Sequence, residues 1–172
     1  MKDGEETLIH YGERAKLDKK DKMILEVLDK NARASIAQIS RKTGIQRDSV
    51  LYRIRKMQEN KTIRFFHTVL NPSILGYEIY SFVNFVLHNL TPEREKKFLS
   101  FLKTHPNIIY VAKTTGKWDF SINIAAKTLK EFDEVLSQIR MGFSDVILEY
   151  DTASILQEYK YDYMIELIRP KK

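Results

Sequence analysis

Cysteine is absent from the 172 residues of this chain, which excludes disulfides, thiolate zinc sites, iron–sulfur clusters and thiol catalysis together. No apolar run approaches the roughly 18 residues of a membrane-crossing helix. The N-terminal stretch MKDGEETLIHYGERAKLDKK is charged throughout, so neither a membrane span nor a signal peptide is expected, and the chain is expected to act in the cytoplasm. Metal-ligand spacing is missing too: His10, His67, His88 and His105 fall in unrelated segments, and no Ser/His/Asp or nucleophile-elbow pattern occurs. Neither a metal nor a cofactor is expected.

What the chain does have is an uneven charge. Residues 13–66 carry 15 Lys/Arg against 7 Asp/Glu, a balance of +8, whereas residues 67–172 carry 13 of each. A local excess of this kind favours a polyanionic partner through phosphate contacts and counterion release. An ordinary lysine-rich surface would produce the same count.

Within the basic half, residues 36–57 read IAQISRKTGIQRDSVLYRIRKM. Ile36, Ile39 and Ala37 form an apolar stripe at helical spacing, and Gly44 follows where a left-handed cap is wanted. Val50, Leu51, Ile54 and Met57 then share one face of a second helix, opposite Asp48, Ser49, Tyr52, Arg55 and Lys56. The layout is that of a helix-turn-helix whose second helix enters the major groove, although any two-helix hairpin of a globular core shows the same apolar spacing. An earlier helix opens at Asp18, with Asp21 three residues on and Ile24, Leu25, Val27 and Leu28 inward, and Ser35 is the next N-cap. After Met57 a polar turn at Asn60 leads into IRFFHTVL, rich in β-branched and aromatic residues. This predicts the strand hairpin of a wing, from which Lys61 and Arg64 reach phosphates or merely face solvent.

Pro72 and Gly76 punctuate the boundary between halves. Beyond it the pattern predicts a strand over 78–87, a helix over 91–104 capped by Thr91 with Pro92 first, and a strand over 108–115. A two-residue turn at Gly116-Lys117, a strand over 118–126, a helix over 129–141 and a strand over 146–156 follow. The order βαββαβ is the ferredoxin-like plan. Residues 159–168 alternate well enough to predict an added strand. The fold expected is α+β, an N-terminal winged helix-turn-helix followed by a ferredoxin-like domain. Its parts are a tail (1–16), the DNA-binding domain (17–66), a linker (67–77), the second domain (78–168) and a C-terminal end (169–172).

Across roughly residues 17–160 these features resemble the Lrp/AsnC (feast/famine) transcription regulators. The resemblance is carried by Leu17-Asp18-Lys19-Lys20-Asp21, Ile24, Leu28 and Asn31-Ala32-Arg33, then by Ile39, Gly44-Ile45, Val50, Arg53-Ile54, Ile63, Asn71-Pro72 and Leu75-Gly76. In the second half Thr115-Gly116-Lys117-Trp118-Asp119-Phe120 looks like the glycine–aromatic–aspartate turn of the family's ligand-sensing domain. Lys61-Thr62 stands where the family usually has Gly before the wing isoleucine, and Gln46 where it usually has Ser or Thr. The resemblance implies a regulator of transcription that is not an enzyme. It implies a homodimer joined through the sensing domains and linker strand, able to form larger rings and to read roughly palindromic double-stranded DNA, with an amino acid or related small molecule as effector.

For DNA the candidate residues are Gln46, Arg47, Ser49, Tyr52, Arg55 and Lys56, joined by Arg33, Lys42, Lys61 and Arg64. Arg55 and Arg47 suit guanine edges and Gln46 adenine, while Ser49, Lys56, Arg33 and Lys42 suit phosphates. Arg53 lies beside the apolar face, which favours a structural or backbone-anchoring role. For an effector the candidates are Thr114, Thr115, Gly116, Trp118 and Asp119: backbone amides near Gly116 for a carboxylate, Asp119 for an ammonium group. The plainer alternative makes Gly116 a hairpin glycine and Asp119 a surface residue. Two other functions fit the same plan, a DNA-free metabolite sensor and a haem-precursor decarboxylase, the latter needing catalytic groups from the four histidines.

Overall fold

The computed structural model describes residues 14–160 and 164–168. His10, most of the expected tail, residues 161–163 of the expected last strand and the end at 169–172 lie outside the described residues. The chain divides into two compact units, residues 1–68 with 160–172, and residues 69–159.

In the first unit each of two helices starts where a side chain satisfies its free N–H groups. Asp18 accepts from the Asp21 amide and Asp21 from the Asp18 amide, a capping box that opens α1, Lys19–Lys30. Ser35 and Gln38 repeat the arrangement at α2, Ile36–Thr43, which ends on Gly44 at φ +72°. The third helix, α3, Arg47–Glu59, follows Gln46, whose side chain makes no capping bond. The three pack through Ile24, Leu28, Ile39, Ile45, Val50, Ile54, Met57 and Ile63.

Two residues read as apolar-face members, Ala37 and Leu51, are exposed. At about 100° per residue Leu51 falls outside the arc that Val50, Ile54 and Met57 occupy. The strand of the expected wing is not formed: no strand lies between α3 and residue 79. Instead Lys61 turns at φ +61° and the Ile63 amide donates to the Met57 carbonyl at 2.8 Å. Only Ile63 of IRFFHTVL is buried, and with no neighbouring strand among the described residues the segment has no ladder to join. The last expected strand is likewise replaced, by a helical turn α6, Ile165–Ile168, packed against α1 with Ile165 buried.

The second unit is a four-stranded antiparallel sheet in the order β2-β3-β1-β4, built from β1 (Ile79–Leu87), β2 (Ile108–Lys113), β3 (Phe120–Ala126) and β4 (Ile147–Ser154). Helices α4 (Pro92–Thr104) and α5 (Leu129–Gly142) cover one face, as βαββαβ connectivity requires. Val83, Phe85, Phe120, Ile122 and Ile124 alternate toward those helices. Phe98 of α4 meets Phe85, Phe120 and Phe143 edge-on at 5.8, 5.6 and 5.0 Å between ring centres. The other face, with Phe82, Tyr110 and Asn123 in register across three strands, carries no helix. The β2–β3 connection is longer than the two-residue turn expected: pairing stops at Lys113–Phe120, leaving residues 114–119 as the loop.

Candidate nucleic-acid interface

Gly44 supplies the left-handed turn between α2 and α3, and two hydroxyls hold it. Ser40 Oγ donates to the Ile45 carbonyl at 2.6 Å, while Thr43 Oγ1 donates to the Ile39 carbonyl at 2.8 Å and accepts from the Ile45 amide at 3.3 Å. Neither hydroxyl stands out in the sequence; the available signal is a Ser and a Thr placed just before a turn glycine, where local side-chain bonds to backbone compete well.

Arg53 fixes α3 to α1. Its Nη1 reaches Asp18 Oδ2 and Asp21 Oδ1, both at 2.7 Å, so one guanidinium grips both members of the α1 capping box. The Asp21 amide, and then Arg53, hold the Asp18 carboxyl below its usual range, and the two carboxylates raise Arg53 further above its own. The structural role expected for Arg53 is the one it has.

With Val50, Ile54 and Met57 turned inward, the outer face of α3 is left to polar and basic groups. Gln46, Arg47, Tyr52, Arg55 and Lys56 are exposed and Ser49 is half-buried. Tyr52, 65 % exposed, lies near the middle of this face. Lys42 sits in the last turn of α2 and Arg33 in the α1–α2 connection, both exposed. Lys61 and Arg64 follow α3 on irregular backbone rather than on a strand, with the Arg64 guanidinium 5.3 Å from the centre of the Phe65 ring.

In the second unit Thr114, Thr115, Gly116, Trp118 and Asp119 share the β2–β3 loop. Thr114 closes it, its amide donating to the Asp119 carbonyl at 2.8 Å and its hydroxyl to the Trp118 carbonyl at 2.6 Å. Gly116 stands at φ +102°, a conformation that side chains disfavour. Lys117 lies 4.2 Å from the Trp118 ring centre and pairs with Glu149 at 2.9 Å. Asp119 is half-buried; its Oδ2 accepts from the Leu87 amide at 2.7 Å, and its own amide donates to the Phe85 carbonyl at 2.8 Å. The residue therefore ties the loop to the end of β1, where the β1–β4 register shifts between Val86 and Leu87.

Residues 17–58 match the model of an AsnC-type helix-turn-helix domain and residues 81–165 that of an Lrp/AsnC ligand binding domain. The HTH-type transcriptional regulator FL11 of Pyrococcus furiosus is 32% identical over 126 residues, 73% of this chain and 82% of that protein. The chain belongs to the Lrp/AsnC family. It is thus a transcriptional regulator with a DNA-binding helix-turn-helix and an α+β ligand-binding domain. The regulator Ptr1 of Methanocaldococcus jannaschii is 30% identical over 122 residues, 71% of this chain and 80% of that one. Among solved structures the AsnC of E. coli superposes with a TM-score of 0.76 at 22% identity, over 88% of this chain and 99% of that one. The regulator NMB0573 of Neisseria meningitidis, solved as a complex with L-Met, gives 0.78 at 18% identity over 89% and 100%. These two likenesses establish the family fold. Among the described residues no helix is long and apolar enough to cross a membrane.

Proposed function

We propose that α3 reads operator DNA in the major groove, with Arg47, Arg55 and Gln46 at base edges, Tyr52 packed among them, and Ser49, Lys56, Lys42, Arg33, Lys61 and Arg64 on phosphates. The observation that carries this reading is the exposed polar and basic face of α3, opposite Val50, Ile54 and Met57, on a helix that Arg53 locks to α1. Arg fits guanine O6 and N7 bidentately, whereas a lysine on a phosphate carries no sequence information. Binding to randomised duplex DNA at two salt concentrations tests the assignment. Arg55→Ala is expected to relax selection at one base position, and Lys56→Ala to weaken all sequences alike and flatten the salt dependence by about one unit. Unchanged binding by both variants would remove α3 from the interface.

The working unit is a homodimer, and larger rings are open to it. Two features support this: the sheet face that carries Phe82 and Tyr110 without a covering helix, and the exposed apolar side chains of Val69, Leu70, Ile74 and Leu75 in the linker. Such surface is usually covered by a partner. Sedimentation of the wild type beside Phe82→Arg is the check, with dissociation to monomer expected for the variant.

An amino-acid effector at residues 114–119 draws support from the family's ligand-binding domain and from the L-Met complex of the Neisseria relative. Because Asp119 already serves the Leu87 amide, Asp119→Asn separates its two roles: the amide oxygen can still accept that bond, but the charge an ammonium group needs is gone. Thermal shifts with each amino acid, lost in Asp119→Asn while basal stability falls by no more than about 1 kcal/mol as a neutral oxygen replaces the charged acceptor, are the result expected of an effector site here. Regulation rather than catalysis is the activity proposed, and the cytoplasm its place. His88 follows β1 and contacts Asn89, His105 ends α4 against Gln138, and His67 lies against Phe65; each has its own neighbours in a separate part of the chain.

A further inference from the structure

We infer that Asp48 is a base-reading residue that selects cytosine, an inference that rests on α3 being the helix in the major groove. Asp48 is the second residue of α3, exposed, on the face turned away from Val50, Ile54 and Met57. The acids and hydroxyls at the starts of α1 and α2 are spent on backbone amides, as Asp18, Asp21 and Ser35 show. The Asp48 carboxylate makes no hydrogen bond or ion pair among the described residues, and the Gln46 side chain makes no cap either. The carboxylate is the single acid in the first two turns of the helix, on the outward face that Tyr52 and Arg55 continue one and two turns further on.

Helix-turn-helix docking brings the N-terminal residues of the second helix against base edges. A carboxylate can only accept hydrogen bonds. In the major groove guanine shows N7 and O6 and thymine O4, all acceptors that repel it, so only the exocyclic amines of cytosine and adenine remain. The adenine amine lies between two acceptors, its own N7 and thymine O4, whereas cytosine N4 has guanine O6 on one side and only C5–H on the other, and cytosine is therefore preferred. On any sequence without that amine the acid meets the negative field of the phosphates unrewarded, so Asp48 lowers affinity in general while raising discrimination.

Site selection from randomised duplexes, followed by affinity titration of the selected and single-base-changed sites, tests this with wild type, Asp48→Ala and Asp48→Asn. Wild type is expected to require cytosine at one position of each half-site. Asp48→Ala should bind unrelated DNA several-fold more tightly and lose roughly five- to 150-fold discrimination at that position alone. Asp48→Asn should move the preference to adenine, whose N6 and N7 suit a carboxamide. If both variants select the wild-type site, or tighten on all sequences by one common factor with base preference intact, the inference is overturned while α3 keeps its place in the groove. If wild type selects no sequence at all, the DNA reading of α3 itself falls.

Discussion

The two units of this chain solve stability in opposite ways. The helix-turn-helix core is aliphatic, built from Ile, Leu, Val and one Met, and among the described residues the aromatics Tyr52, Phe65 and Phe66 stand outside. In the sheet unit the aromatics are inside, with Phe98 at the centre of a ring cluster that reaches Phe85, Phe120 and Phe143. Charge divides the same way, +8 over residues 13–66 against balance beyond. A unit that leaves one helix face exposed and basic keeps a small core and relies on caps and the Arg53 ion pair, whereas the sheet unit buries its largest rings. An aromatic residue is thus exposed in the first and packed in the second.

The comparison can be broken most severely at its aromatic end. Phe98→Ala should cost about 3–5 kcal/mol in chemical denaturation, because a fully buried ring leaves a cavity among three others. A loss below about 1 kcal/mol would mean the ring cluster is not what holds the sheet unit. Next in size, Asp119→Ala strands the Leu87 amide at the end of β1 and should cost about 1.5–3 kcal/mol, the range for a hydrogen bond to a charged acceptor; hydrogen exchange at Leu87 reports it directly.

Arg53→Ala probes the other unit. A loss of about 1 kcal/mol is expected for a partly exposed pair, together with a change in acid sensitivity. The Asp18 carboxyl titrates below its ordinary value in the folded chain, so its contribution is complete above about pH 4 and disappears as the pH falls through the folded value. The Asp21 amide persists in the variant, so the acid dependence should shrink without vanishing. Thermal melts between pH 3 and 6 separate the variant from the wild type, and an unaltered pH profile would remove Arg53 as a cause. Smallest and opposite in sign, Lys61→Gly should raise stability by a few tenths to about 1 kcal/mol, since Lys61 holds φ +61° where only glycine is unstrained. A destabilised variant would show that Lys61 contributes packing worth more than its strain.

Most of the first unit is legible from residue order because it is local. Asp18, Ser35 and Gly44 mark helix ends through bonds that span three or four positions, and Ile24, Ile39, Val50, Ile54 and Met57 repeat at helical spacing. Leu51 was harder to place, since adjacency to Val50 says nothing of which arc a neighbouring helix covers. The expected strands of the wing and of the chain's last run fail to form for a related reason. IRFFHTVL and residues 159–168 have strand-like composition, yet a strand exists only where another lies beside it, and α1 took the place of a sheet neighbour for Ile165.

The sequence by itself determined the helix-turn-helix, the βαββαβ order, the charge division and the family, because each rests on short-range pattern or on a run of motifs in order. Only the tertiary structure decided that Arg53 grips the α1 capping box from α3, 32 and 35 residues away in sequence, and that Asp119 is spent on the Leu87 amide between the adjoining ends of β1 and β3. Those partners are distant in the chain, and which acid meets which donor is fixed by how the cores pack, a property that no local spacing encodes.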